Sequence, residues 1–536
     1  MNAQHSSILV NGNEAVAHAA RDTGIILGVG YPGTPSTEIL ENFSALDGRA
    51  EWAPNEKVAL EVGIGAAFAK GRTLVTMKHV GLNVAADPLF TAAYTGCQGA
   101  LVIAVADDPG MASSQNEQDS RRYAAAAGIP MLEPADSQQA YDFFAEAVAV
   151  SERWQIPVFL RLTTRICHSK TPLTRRDFDA APETEFIRDI PGRVMVPAYA
   201  RPAHRRLRAK LNEIAQWNEQ GALTRTLPGK NSLGIIANGI SVMHAREAAA
   251  EATILQCGMS YPPPIETMRK FAESVERCIV LEEGDPVMAD TCRAAGIKIE
   301  SAAEMFRFGE LSVTRARRII EKDTAPEPQP PRGKPPQLCV GCPHRLVFQA
   351  LHDEDCIVSG DIGCYTLGVL PPFQAMDTCV CMGASIGVAL GLRHVLPEAE
   401  ARRVVSVIGD STFMHSGITG LVEMVYNPPS TGHVVLILDN GTTAMTGLQE
   451  HPGTGRSLDY QPANQIFPEK LAEAMGITRI TVMDPGRDSE IFRKQLQQDL
   501  NSGELCVIIV RKPCLLTLRK QKAMAENKPI ENKETA

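Results

Sequence analysis

Two apolar runs in this chain end in oxygen-bearing side chains. VVSVIGDS closes on Gly409-Asp410-Ser411, and VVLILDN closes on Asp439-Asn440. Read as parallel strands of an α/β domain, both runs deliver these residues to the C-terminal edge of a sheet, where ligands bind. The Asp410 carboxylate, the Asn440 amide oxygen and the carbonyl of Thr442, two residues further on, would join two phosphate oxygens in the octahedral shell that Mg²⁺ demands. The competing possibility is that Gly-Asp only turns the chain and Asn440 only caps it. A third oxygen group, Glu56, stands in NEKVALEVGIGAAFAKG at the head of a small-residue helix, a place the helix dipole alone would favour.

Sulfur forms the other candidate chemistry. Cys339-Val340-Gly341-Cys342 is a C-x-x-C pair, Cys364 sits in SGDIGCYTLG, and Cys514 ends VIIVRKPC. Two close thiolates and two distant ones suit zinc or a [4Fe–4S] cluster equally well by spacing. Cys356, Cys379, Cys381 and Cys506 read instead as buried thiols. Thirteen cysteines, an odd number, in a chain whose N-terminus shows no secretory signal, argue against a disulfide framework. The stretch Gly28-Val29-Gly30-Tyr31-Pro32-Gly33 matches a dinucleotide-binding fingerprint, with Asp47 or Glu51 as the acid, yet Pro32 and Pro35 stiffen the turn where that motif enters its helix. Lys78, His79, His344 and His415 lie in the same segments, either as functional groups or as satisfied structural side chains.

Positioning these groups calls for several α/β domains, and 536 residues suffice for about three or four. A net charge of −9 without a basic stripe argues against nucleic acid as a partner. No apolar run reaches the ~18 residues of a membrane span, so the expectation is a cytoplasmic protein. Strands are expected at Ile25–Val29, Leu74–Met77, Ala100–Ala106 and Pro157–Leu162, within a parallel-sheet domain over 1–175. A connecting segment, 176–230, carries one amphipathic helix. A smaller α/β domain follows over 231–320, with strands at Ser232–Asn238 and Cys278–Glu282, and then a proline-rich linker over 321–337. The last α/β domain, 338–517, has strands at Val404–Ile408, Val434–Leu438 and Val507–Val510, and a polar, frayed tail occupies 518–536.

Gly409-Asp410-Ser411 followed some thirty residues later by Asn440 resembles the thiamine-diphosphate motif, with Ser411 in place of its second glycine. The resemblance implies that Asp410, Asn440 and the Thr442 carbonyl bind Mg²⁺, that Gly409, Ser411, Asp361, Gly383 and Ser385 line the cofactor, and that Glu56 meets the aminopyrimidine ring from a separate pyrimidine-binding domain. The four-cysteine pattern resembles the proximal [4Fe–4S] cluster of 2-oxoacid:ferredoxin oxidoreductases. YPGTPSTE, NEKVALEV, VTMKHVGLNVAADP, DDPGMASSQNEQD, GCPHR, GDIGCYTLG, GDSTFMHSGITG and TTAMTG, in that order from about residue 8 to 517, are similar to the α subunits of indolepyruvate:ferredoxin oxidoreductases.

In that setting Tyr31-Pro32-Gly33-Thr34-Pro35 looks like the family's Y-P-x-T-P loop, with Thr34 over the reactive end of the cofactor and Tyr31, Pro32 and Gly33 beside it. GVGYPG then only mimics a nucleotide fingerprint. The resemblance implies catalysis by Glu56, Thr34 and His79, and oxidative decarboxylation of an aryl 2-oxoacid with CoA, giving an arylacyl-CoA and CO₂ and reducing ferredoxin through Cys339, Cys342, Cys364 and Cys514. It also implies a hetero-oligomer with a smaller β subunit. The family's C-terminal ferredoxin-like domain is expected to be missing, because the chain ends within 22 residues of Cys514 without another cysteine; a separate ferredoxin-like subunit or ferredoxin itself would then take the electrons. The rivals are a non-oxidative decarboxylase that makes an aldehyde and a zinc-stabilised scaffold without catalysis.

Overall fold

A computed structural model describes residues 7–221, 223–328, 337–486 and 489–526. The chain forms two compact units, Met1–Pro328 and Gln329–Ala536. Most of the proline-rich linker, 329–336, and the last residues of the tail, 527–536, lie outside the described residues.

The first unit is built on a seven-stranded sheet in the order Met259–Tyr261, Met131–Leu132, Val158–Thr163, Leu101–Asp107, Thr73–Lys78, Leu27–Gly30, Ala50–Trp52. Its neighbours pair in parallel, except that Met259–Tyr261 runs antiparallel to Met131–Leu132. Thr73–Lys78 and Leu101–Asp107 are buried at every residue, as strands covered by helices on both faces must be. The chain leaves Leu27–Gly30 toward Ala50–Trp52 on one side and Thr73–Lys78 on the other. The crevice between Gly30 and Lys78 is therefore the topological switch point of this sheet, where open α/β sheets take their ligands.

A second sheet of the same unit runs Glu300–Ser301, Cys278–Leu281, Lys230–Ala237, Ala252–Cys257, Thr224–Leu227. The segment expected as the smaller α/β domain lends Met259–Tyr261 to the first sheet, and its own sheet takes in Thr224–Leu227 from the expected connector. A buried charge network joins the two sheets. Arg161 pairs with Asp107 at 2.7 Å and Glu133 at 2.6 Å, Arg121 pairs with Asp119 and Glu282 at 2.6 Å each, and Asn238 donates to Glu133 at 2.7 Å.

The second unit holds a six-stranded, fully parallel sheet: Thr378–Cys379, Ile357–Gly360, Val404–Gly409, His433–Asp439, Leu505–Arg511, Arg479–Met483. Its switch point lies between Ile357–Gly360 and Val404–Gly409, so Asp361 and Asp410, each one residue beyond its strand, flank the crevice. The expected frayed tail is helical where it begins, over Leu515–Ala525. Among the described residues no helix is long and apolar enough to cross a membrane.

Candidate active site

In the first unit, Glu56 is the first residue of the helix Glu56–Phe68, whose N-cap Asn55 accepts from the Val58 amide at 2.9 Å. The cap and the dipole explain a carboxylate at this position, but they do not explain its burial: Glu56 is 3% exposed. Gly81 makes room for it, because a Cβ there would collide with the Glu56 carboxylate. The loop after Leu27–Gly30 is equally fixed. Tyr31, Pro32 and Gly33 are buried, the Ser36 amide and hydroxyl both donate to the Gly33 carbonyl, and Asn13 Nδ2 donates to the Pro35 carbonyl at 2.8 Å. Thr34 is partly exposed, and its peptide bond to Pro35 is cis.

Lys78 and His79 continue from the adjacent strand. His79 is fully buried and donates from Nε2 to the Asn116 carbonyl at 3.1 Å, and among the described residues its buried Nδ1 has no hydrogen-bond partner. The loop that receives it is anchored at both ends. Asp107 accepts from the Ser120 amide at 3.0 Å, and Asp108 accepts from the Ser113 amide at 2.8 Å and the Ser114 hydroxyl at 2.6 Å. The structure therefore brings together, at one sheet edge, the loop Tyr31–Pro35, Glu56, Lys78 and His79.

In the second unit Asp410 is buried, and its charge is cultivated. Burial works to raise its carboxyl, but His451 and the amides of Ser411 and Gly441 more than offset this and hold it below the usual value. His451 Nε2 donates to Asp410 Oδ2 at 3.2 Å while the Gly453 amide donates to His451 Nδ1 at 3.1 Å, which sets the tautomer. The Gly441 amide reaches the same Asp410 oxygen at 2.8 Å, folding the segment after His433–Asp439 around the carboxylate. Gly441 adopts φ +70°, which a side chain would resist.

Asn440 is 7% exposed, accepts from the Thr442 amide at 3.1 Å and donates to His344 Nε2 at 3.3 Å. Burial pushes His344 down to about 4, so it accepts as a neutral imidazole. His415 is held by the Ser416 hydroxyl at 2.7 Å, in a π-helical turn, Phe413–Gly417, that interrupts the helix after Asp410. One carboxylate, one amide oxygen and one backbone carbonyl are a hard-oxygen donor set that suits Mg²⁺ and leaves positions for phosphate.

Asp361 is engaged differently. Its carboxylate accepts from the backbone amides of Ile362 at 2.8 Å, Gly383 at 2.9 Å and Ser385 at 3.0 Å. It thereby pins the turn that opens the helix Ala384–Val395, with Gly383 at φ +86°.

Cys339 and Cys342 form a turn closed by the Cys342 amide on the Cys339 carbonyl at 3.0 Å, and this turn packs on the segment after Cys514: a Cβ on Gly341 would lie 3.1 Å from Leu515 Cδ1. The Cys514 amide donates to the Asn440 carbonyl at 2.9 Å, so the sulfur group and the oxygen group share a backbone link. Burial first, then Cys514, Cys342 and Cys339, push the Cys364 thiol up to about 12. Cys364 thus lies within electrostatic reach of the other three thiols, and Cys342 within reach of Cys339 and Cys514. Among the described residues no group of three or more His, Cys, Asp or Glu side chains is gathered tightly enough for a single metal ion.

The expectation of buried thiols fails at Cys379 and Cys381, which are exposed because Thr378–Cys379 is the edge strand of its sheet among the described residues; Cys356 is half-buried and Cys506 buried. Sequence reasoning missed His451, whose only signal is its place in EHPGTG after the metal-ligand candidates.

Residues 18–195 match the family "Pyruvate flavodoxin/ferredoxin oxidoreductase, thiamine diP-bdg", and residues 361–510 match "Thiamine pyrophosphate enzyme, C-terminal TPP binding domain". The indolepyruvate oxidoreductase subunit IorA of Archaeoglobus fulgidus is 36% identical over 96% of this chain and 87% of its own length. That of Methanothermobacter thermautotrophicus is 37% identical over 94% and 86%. The 2-oxoglutarate:ferredoxin oxidoreductase of Magnetococcus marinus shares the fold, with a TM-score of 0.50 at 17% identity over 59% of this chain and 65% of that one. By these matches the chain belongs to the indolepyruvate oxidoreductase IorA family and is the α subunit of a thiamine-diphosphate-dependent 2-oxoacid oxidoreductase.

Proposed function

We propose that this subunit oxidatively decarboxylates an aryl 2-oxoacid such as indolepyruvate, passing the acyl group to CoA and the electrons to ferredoxin or a separate ferredoxin-like subunit, in a hetero-oligomer with a smaller β subunit. The observation that carries this reading is the backbone link between the two chemistries: the Cys514 amide on the Asn440 carbonyl puts a thiol group beside the oxygen group that would hold the diphosphate. A non-oxidative decarboxylase has no use for that adjacency.

Thiamine diphosphate, when bound, supplies the electron sink for decarboxylation. The protein's own residues do the rest. Asp410, with Asn440 and the Thr442 carbonyl, would hold Mg²⁺ and through it the diphosphate, while the turn pinned by Asp361 offers backbone amides around Gly383 and Ser385, beside Gly409 and Ser411. Glu56, buried at the head of its helix, would hydrogen-bond the aminopyrimidine ring and hold or release a proton there. Thr34 and His79, with Tyr31, Pro32 and Gly33, would form the substrate side. Cys339, Cys342, Cys364 and Cys514 would carry a [4Fe–4S] cluster as the electron exit.

The test uses the anaerobically assembled complex, with CoA-dependent reduction of ferredoxin measured on indolepyruvate, phenylpyruvate, pyruvate and 2-oxoglutarate. Aryl substrates should give kcat/KM at least tenfold above the others. Aldehyde release without acceptor reduction would establish the non-oxidative alternative instead.

A further inference from the structure

Lys78 has no task in the chemistry above, and its surroundings are unusual. It closes the strand Thr73–Lys78 at the switch-point crevice and is 8% exposed. One of its three ammonium protons is placed, on the Ser113 carbonyl at 2.7 Å. Among the described residues no carboxylate comes within the 4.0 Å of an ion pair: Asp108 and Glu56 act on it only from further away, one from the loop beyond Leu101–Asp107 and one from the helix Glu56–Phe68. Asp108 is itself occupied by the Ser113 amide and the hydroxyls of Ser114 and Thr164.

The aliphatic stem is clamped, since a Cβ on Gly33 would lie 3.1 Å from both Cγ and Cδ of Lys78. Burial lowers the ammonium to about 8, so it remains protonated at neutral pH. A buried cation holding one hydrogen bond and no counter-ion in contact is costly to keep. An anion arriving in the crevice would remove that cost, and the crevice also holds Glu56, Thr34 and His79.

We propose that Lys78 receives the carboxylate of the 2-oxoacid, its two unplaced ammonium protons completing charge-assisted hydrogen bonds to the incoming anion. The inference rests on the 2-oxoacid reading of this crevice and adds the residue that recognises the acid. It accounts for two features together: why the ammonium is buried, and why neither nearby carboxylate touches it. A carboxylate held more tightly in the ground state than in the transition state would resist leaving as CO₂. The contribution of Lys78 therefore falls mainly on KM.

The experiment compares the wild-type complex, loaded with thiamine diphosphate and Mg²⁺, with Lys78→Met, Lys78→Gln and Lys78→Arg. Steady-state kinetics on phenylpyruvate is combined with calorimetric binding of 3-phenylpropanoate and of its neutral amide. Lys78→Met and Lys78→Gln should raise KM by roughly 10- to 100-fold with kcat changed less, abolish the preference for the carboxylate over the amide, and leave cofactor occupancy intact. Lys78→Arg should restore part of both. Wild-type kcat/KM should also fall as pH rises above about 8, as the ammonium is lost, and this limb should vanish in Lys78→Met.

Unchanged KM and unchanged carboxylate preference in Lys78→Gln would overturn the inference, as would loss of cofactor occupancy with KM unaltered. A wild type that discriminates carboxylate from amide through Lys78 but turns over no aryl 2-oxoacid would uphold Lys78 and overturn the proposed substrate.

Discussion

His451 Nε2 donates to Asp410 Oδ2 at 3.2 Å, a role fixed by the Gly453 amide, which donates to His451 Nδ1 and so leaves the ring proton on Nε2. The imidazole orients the carboxylate and holds its charge in a buried place, much as outer-shell partners fix metal ligands. His451→Leu should weaken Mg²⁺–thiamine diphosphate binding by roughly 10- to 100-fold, and Asp410→Ala should abolish it. Equilibrium binding followed by cofactor fluorescence or calorimetry checks both. Normal occupancy in Asp410→Ala would remove the diphosphate site from this position.

Glu56 and Gly81 form a second testable pair. Glu56→Gln should retain cofactor yet lose turnover by about 10²-fold or more, since the ring contact persists while the proton relay is cut. Gly81→Ala should reproduce much of that loss with Glu56 intact, because the new methyl group would displace its carboxylate. If turnover survives in Glu56→Gln, the proton role passes to another residue, Glu61 first.

How these residues could be found in advance differs from one to the next. Asp410 and Asn440 were legible because each follows a largely apolar parallel strand, a pattern that points to both the element and its edge. Glu56 was legible only jointly with them, since an acidic residue at a helix start is ordinary by itself. His451 lies 41 residues past Asp410 in an irregular loop, where no periodicity links the two. Two-residue strands such as Met131–Leu132 and Glu300–Ser301 are too short to show alternation, and they owe their existence to neighbours far along the chain. The exposure of Cys379 and Cys381 follows from their edge position, which sheet order decides and local sequence does not.

Glu283 offers a pH-dependent prediction independent of catalysis. It is 4% exposed and accepts from the Leu311 amide at 2.8 Å through one oxygen. Burial raises its carboxyl from 4.5 to about 7. A raised acid contributes stability that is present below the unfolded pKa and lost as pH rises through the folded one, here between about 4.5 and 7. Glu283→Gln should therefore raise Tm at pH 8 and leave it nearly unchanged at pH 4.5. The gain corresponds to at most roughly 3 kcal/mol. Equal effects at both pH values would show that the carboxyl is not held in its neutral form.

The cysteines divide into two groups by their surroundings. Ser substitution of Cys339, Cys342, Cys364 or Cys514 should each cost most of the iron, whereas Cys356→Ser should keep it, because Cys356 sits beside Glu354 and Arg403 and away from the quartet. Iron content of anaerobically purified variants decides the grouping, and full iron after loss of any one of the four would break it.

The most direct measurement of an electron exit beside the cofactor site is electron paramagnetic resonance on anaerobically purified protein, with iron and acid-labile sulfide determined on the same sample. The expected result is about four irons and four sulfides per chain, and a reduced [4Fe–4S] signal that appears when an aryl 2-oxoacid is added to the complex loaded with thiamine diphosphate, Mg²⁺ and CoA. Zinc in place of iron, or a cluster that stays oxidised while substrate is consumed, would contradict it.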